Sequence, residues 1–224
     1  MAQALVDGRR LRGDESRRGI LAHAVDTASV DGLDGLTIGR LADAAGHSKS
    51  GVATLFGSKE QLQLAVVAAA REVFIDTVVA PARATTERGL TRVCLLLTNW
   101  LDYSRDRVFR GGCFFAATSV EYDSKPGAVR DAIIAASSEW EDYLTVSIEY
   151  AIAGGQLPAL GDARQLTFEF VSFLEAANTR SLLYSSADPY RRAAIALRSR
   201  VLGLGGDPAV VRTIDPETVD AAPS

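Results

Sequence analysis

Apolar residues recur along this chain at helical spacing, while strand-like alternation is scarce. Ala and Leu dominate the apolar positions, as strong helix formers do. Asp14 or Glu15 opens a first helix, with Ile20, Leu21, Ala24, Val25 and Ala28 along one face. Gly32 and Gly35 stop it. Thr37 caps a short helix through Ile38, Leu41, Ala42 and Ala45, which Gly46 ends. Ser48 caps a second one, Lys49 to Leu55, broken by Gly57. Ser58 and Gln61 form a capping-box pattern that opens a long helix from Lys59 to about Ala80, stopped by Pro81. Further helices are predicted near 87–107, 113–123, 127–153, 162–185 and 188–204, the fourth capped by Asp162. The stretch from Gly205 to Ser224 holds Pro208, Pro216 and Pro223 with little periodicity, and reads as a flexible tail over 206–224. The expected fold is all-α.

Composition narrows the class. With 224 residues and 47% hydrophobic content, the chain can bury a substantial core and is too apolar to be disordered. Cys94 and Cys113 are too few for a disulfide scaffold and read as reduced thiols of a cytoplasmic protein. No apolar run is long enough to span a membrane, and the N-terminus lacks the apolar stretch of a signal peptide. Catalytic chemistry is poorly supplied. There is no HExxH, no GxSxG after a strand, no P-loop and no Cys/His cluster, so neither an enzyme nor a cofactor or metal site is expected. The net charge of −4 argues against coating a polyanion non-specifically, but not against a small DNA-reading face. Residues 1–60 carry 8 basic and 8 acidic side chains, and the excess acid lies beyond them.

Residues 37–62, TIGRLADAAGHSKSGVATLFGSKEQL, carry the functional signal. Two short helices joined by Ala45-Gly46-His47 have the form of a helix-turn-helix. A plain helical corner has the same spacing. The second helix leaves Ser48, Lys49, Ser50, Gly51 and Thr54 toward solvent, short side chains that would let it approach base edges. Lys59, at a helix start, could hold a phosphate through charge and free N–H groups.

These residues resemble the N-terminal domain of the TetR family of transcriptional regulators. The resemblance runs Thr37-Ile38-x-x-Leu41-Ala42-x-x-Ala45-Gly46, Ser48-Lys49-Ser50 and Phe56-x-Ser58-Lys59-Glu60-x-Leu62, with Arg18, Ile20, Leu21, Ala24 and Ala28 upstream. It implies a basic arm (1–13), a three-helix DNA-binding domain (14–60) and a helical ligand-binding and dimerisation domain (61–205). Family members usually carry an aromatic where this chain has Ala53, and often Tyr or His at Leu55. DNA contact is therefore expected of Thr37, Ser48, Lys49, Ser50, Thr54 and Lys59, with Arg17 and Arg18, and more weight falls on Arg9, Arg10 and Arg12. A second stretch, Arg110-Gly111-Gly112-Cys113-Phe114-Phe115 followed by Glu121-Tyr122-Asp123-x-Lys125-Pro126-Gly127, resembles a recurring C-terminal subtype.

In that second domain Trp100, Tyr103, Phe114, Phe115, Trp140, Tyr143 and Phe170 recur at helical intervals. They could line a pocket for an apolar or aromatic effector, or simply fill a core. Phe173, Leu174, Ala177, Leu182, Leu197 and Val201 lie on the last two long helices, which by resemblance would form a two-fold dimer interface. The expected partners are an operator in double-stranded DNA, a second copy of the chain and a small-molecule effector. The competing expectation is a helical small-molecule carrier or scaffold without specific DNA binding.

Overall fold

The computed structural model describes residues 2–85, 87–159 and 161–218, and the side chains of residues 2–12 and 14 lie outside that description. The side chains of Arg9, Arg10 and Arg12, and the tail from residue 219 on, therefore fall outside it. The described residues form an all-α molecule. Three helices build the N-terminal unit: α1 (Ala2–Asp31), α2 (Ile38–Ala45) and α3 (Lys49–Phe56). The first begins at Ala2 rather than at Asp14 or Glu15. Residues 2–13 contain no proline and are mostly Ala, Leu, Val, Gln and Arg, so nothing in them interrupts a helix. The backbone of the basic arm is thus continuous with α1.

Ile20, Ala24, Ala28, Leu33, Leu36, Leu41 and Val52 are each 1% exposed or less and knit these helices together. Leu33 and Leu36 occupy the α1–α2 turn, so that turn is pinned by its own side chains. Each contributes about 1.5–3 kcal/mol by area, as an upper bound.

A helix leaves this unit and enters the second. It runs as α4 (Lys59–Phe74), a π-helical turn (Ile75–Val79) and α5 (Ala80–Ala84). Pro81 does not stop it, contrary to the expectation from sequence. A proline offers no N–H and clashes with the carbonyl four residues back. The wider π turn lies just ahead of that position, with the Ala80 N–H reaching five residues back to the Ile75 carbonyl. Asn99 fastens the turn to the next helix, its Nδ2 donating to the Val78 carbonyl at 3.0 Å.

The second unit consists of α6 (Leu90–Arg105), α7 (Phe114–Tyr122), α8 (Ala128–Ala153), α9 (Ala163–Tyr184), α10 (Asp188–Gly203) and the short α11 (Pro208–Val211). All five long helices expected there are present within a few residues, and Asp162 caps α9 by accepting the Arg164 and Gln165 N–H groups. Segment 206–218 is not a loose tail. Val211 and Ile214 are fully buried, and Thr98 donates to the Thr213 carbonyl at 3.1 Å. Pro208 stands in the first turn of α11, where a missing N–H is harmless, so it is compatible with an ordered segment.

The two units are joined by a polar seam as well as by α4. The Glu121 carboxylate, on α7, accepts the backbone N–H groups of Leu33 at 2.7 Å and Asp34 at 2.9 Å. Asp34 in turn receives Lys125 at 2.8 Å, the Tyr122 hydroxyl at 2.9 Å and Gln63 at 3.2 Å. Lys125, then Tyr122, hold the Asp34 carboxyl below the usual carboxylate range despite some opposing desolvation. Arg110 closes the other end of the seam on Asp26, and the Gly111 N–H donates to Ser29 Oγ at 3.0 Å. A Cβ on Gly111 would lie 1.9 Å from the Ser29 carbonyl oxygen, so only glycine permits this approach.

Candidate functional site

Local chemistry shapes the helix-turn-helix. Thr37 Oγ1 accepts the Arg40 N–H at 3.2 Å and starts α2. Gly46 ends it with φ 68° and ψ 28°, a left-handed conformation that costs glycine nothing. Its N–H and that of His47 both return to the Ala42 carbonyl. Ser48 Oγ then accepts the Gly51 N–H at 3.1 Å and starts α3. Val52 and Phe56 anchor α3 inside, while the whole run from Gly46 to Gly51, with Thr54, stays exposed.

The expected DNA-contacting residues divide into two groups. Ser48, Lys49, Ser50 and Thr54 share the exposed N-terminal part of α3. Lys49 makes no ion pair or hydrogen bond among the described residues, and its stem lies near Gly39, whose Cβ would be 3.4 Å from Lys49 Cε. Ser50 Oγ lies 3.3 Å from Ser48 Oγ, and Thr54 donates to the Ser50 carbonyl at 2.8 Å. Thr37 is exposed at the start of α2, and Arg18 is exposed on α1 without a partner among the described residues. Two others are engaged internally. Lys59 Nζ donates to the Asp34 carbonyl at 2.8 Å, which ties α4 to the α1–α2 turn. Arg17 stacks on Phe56 with 4.8 Å to the ring centroid and donates to the Leu55 carbonyl at 3.3 Å. The pattern could not disclose this, because a cation near a helix end looks the same whether it faces a carbonyl or a phosphate. Ala53 and Leu55 are half-buried on α3.

The second site is a cavity of about 130 Å³ among α4, the π turn, α5, α6, α7, α8 and α9. That is roughly ten times what one ordered water needs (about 10–15 Å³). Trp100, Phe115, Trp140 and Tyr143 line it as expected from sequence. Tyr103, Phe114 and Phe170 do not. Tyr103 is 3% exposed, and Phe114 and Phe170 are fully buried in the core behind it. Helical spacing finds aromatics but cannot separate a wall from the packing behind it. Phe74, which carries no sequence signal of its own, is the hub of the aromatic cluster. Its ring meets Tyr103, Phe115 and Trp140 edge-on at 5.5, 6.1 and 5.3 Å. It lies on the linking helix, outside the aromatic-rich stretches.

Polar groups also line the cavity. Arg71 and Glu139 form a two-pronged pair, with both nitrogen–oxygen distances 2.6 Å, that holds the glutamate below its usual range. Glu141 and Glu175 have no hydrogen-bond or ion-pair partner among the described residues. Burial raises both carboxyls, and Asp142 adds to the effect at Glu141 as Glu141 does at Glu175. Cys113 also lines the cavity, its thiol pushed up to about 11, first by burial. No group of His, Cys, Asp and Glu suited to a metal ion occurs among the described residues.

The expected dimer residues separate too. Leu174, Ala177, Leu197 and Val201 are at most 3% exposed and pack within this chain, between α9, α10 and their neighbours. Phe173 is half-buried, and Leu182 is 39% exposed. The large apolar side chains left open on these helices are instead Phe168, Leu183 and Tyr184, each at least 67% exposed, with Ile195 and Leu202 on α10. Periodicity marked the helices as apolar on several faces without telling the inward face from the outward one. No helix of the described residues is long and apolar enough to cross a membrane.

Residues 20–66 match the family model for bacterial regulatory proteins of the tetR family, and residues 89–197 match the tetracyclin repressor-like C-terminal domain. A TetR transcriptional regulator from Chloroflexus aurantiacus is 26% identical, with a TM-score of 0.76 over 83% of this chain and 93% of that one. A TetR-family regulator from Agrobacterium tumefaciens is 18% identical, with a TM-score of 0.69 over 95% and 100%. AibR, solved with isovaleryl coenzyme A and operator DNA, is 18% identical, with a TM-score of 0.62 over 73% and 86%. A comparison with curated proteins returns no match. With both of the family's domains matched in order along one chain, this protein belongs to the TetR family, as a DNA-binding transcriptional regulator with a ligand-binding domain.

Proposed function

We propose that this regulator is a repressor that binds a pseudo-palindromic operator as a homodimer and leaves it when a small effector with an apolar or aromatic body fills the cavity. The working parts are an N-terminal DNA-binding domain of about 60 residues and the ligand-binding and dimerisation domain behind it, acting in the cytoplasm. Ser48, Lys49, Ser50, Thr54 and Thr37 read or hold the DNA, with Arg18 on the backbone. Lys59 and Arg17 position that face from behind.

One observation carries the reading. The cavity wall includes Phe74, Ile75 and Val79 on the helix leading to the DNA-binding unit, and Phe115 and Ala116 on α7. The far end of α7 holds the turn just before α2 through Glu121. An occupant therefore touches both connections between the units at once. It shifts the equilibrium only insofar as it binds the two states differently. That AibR was solved with both a coenzyme A ester and operator DNA supports two linked sites in this architecture. The exposed apolar side chains Phe168, Leu183 and Tyr184 support pairing through α9 and α10.

A gel shift against DNA from the protein's own promoter region, run over a salt series, tests the function. Specific retardation that steepens as salt falls is expected, and it is lost in Lys49→Ala/Ser50→Ala. Equal binding to random duplex refutes specific regulation, and unchanged binding by the double variant refutes the recognition-helix assignment. Sedimentation tests the dimer. The wild type is expected at twice 23.8 kDa, and Leu183→Glu with Phe168→Glu at the monomer mass.

A further inference from the structure

We infer that the cavity takes an organic cation, an aromatic or alkyl body bearing a quaternary or protonated nitrogen held by Glu141 and Glu175. This rests on the reading of the cavity as the effector site and names the chemistry of its ligand. The argument starts from charge. Three carboxylates and two guanidinia line the space. Arg71 is already paired with Glu139 at 2.6 Å, which leaves Arg83 as one lining cation against two remaining carboxylates, a net excess of one negative charge. That leaves Glu141 and Glu175, neither of which has a cation or hydrogen-bond donor among the described residues.

The two carboxylates border the same cavity, each resists ionisation because of burial, and Glu175 also feels the charge of Glu141. Both side chains are exposed at the cavity mouth, so a ligand can reach them without unfolding. An incoming anion meets a net excess of negative charge, with Arg83 the one lining cation not paired to Glu139. A neutral aromatic gains apolar contact but leaves both carboxylates without a counter-charge. A cation supplies the missing counter-charge, and Trp100, Trp140 and Tyr143 line the same space with rings whose quadrupole attracts weakly hydrated cations.

The chain's only two tryptophans, Trp100 and Trp140, both line the cavity, so intrinsic fluorescence reports its occupancy directly. The test titrates purified full-length protein with benzyltrimethylammonium, its uncharged carbon isostere neopentylbenzene, and phenylacetate. The cation is expected to alter tryptophan emission with an affinity at least about tenfold above either control (about 1.4 kcal/mol). Glu141→Gln and Glu175→Gln, which keep side-chain volume, are each expected to weaken the cation about tenfold and leave neopentylbenzene unchanged. Their melting curves verify that the fold is intact. Equal or tighter binding of the neutral or anionic probe overturns the inference, while any such binding still leaves an effector cavity. No fluorescence response to the cation, or full affinity in both variants, also overturns it. Because DNA is absent from the assay, each of these results leaves the regulator reading standing.

Discussion

Removing the Glu121 carboxylate tests the seam between the two units. In Glu121→Ala the N–H groups of Leu33 and Asp34 lose acceptors at 2.7 and 2.9 Å. A hydrogen bond to a charged acceptor contributes about 1.5–3 kcal/mol, and one that water can replace contributes much less. The Leu33 bond is partly buried and the Asp34 bond exposed, so the first dominates. The expected loss is about 2–3 kcal/mol. At roughly 2–4 °C per kcal/mol for a chain of this size, the melting temperature falls by about 4–12 °C. Glu121→Gln keeps one acceptor oxygen and loses the charge, so it falls about halfway between. Thermal unfolding followed by circular dichroism reads both. If Glu121→Ala melts within about 1 °C of the wild type, the carboxylate does not hold the turn, and the coupling assigned to α7 fails with it.

Other consequences are independent of this one. Gly111→Ala drives a methyl against the Ser29 carbonyl, so it should destabilise by about 1–3 kcal/mol in urea unfolding; an unchanged midpoint would show that the seam yields freely. Cys94 and Cys113 are buried, with thiols raised to about 12 and 11. A chromogenic disulfide reagent should therefore find no reactive thiol at neutral pH until denaturant is added, and rapid native labelling of Cys113 would contradict this. Asp34 is held below its usual carboxyl range by Lys125 and Tyr122. Its contribution is complete above the unfolded value near pH 4 and is lost as pH falls further. Asp34→Asn should be less stable at pH 7 with a shallower acid limb, and an identical acid limb would refute the assignment.

The legible parts of this molecule were those written in local chemistry. Thr37, Ser48, Ser58 and Asp162 cap helices because a side-chain oxygen at that position can reach an N–H two or three residues on, and no distant residue is needed. Gly46 marks the turn for the same local reason. What the pattern could not contain is the partner of a long side chain. Lys59 and Arg17 each donate a hydrogen bond within the chain, because Asp34 and Leu55 are brought to them by folding, although Lys59 stays exposed. Leu174, Leu197 and Val201 are apolar on helices with two apolar faces, and only the packing of α9 on α10 decides which face is inside. Pro81 has the sequence signature of a helix stop, and the π turn that tolerates it has none of its own. Glu141 and Glu175 lie on different helices, and only the fold sets them against one cavity.

The central claim is that α3 presents a sequence-reading face, duplicated by a two-fold partner. Selection of bound duplexes from a random-sequence pool with the purified full-length protein tests it most directly. The account predicts enrichment of an inverted repeat, with half-sites one helical turn or a multiple of it apart (about 34–36 Å per turn), and loss of that enrichment in Lys49→Ala/Ser50→Ala. A pool that stays random through successive rounds, or the same motif enriched by the double variant, would contradict it.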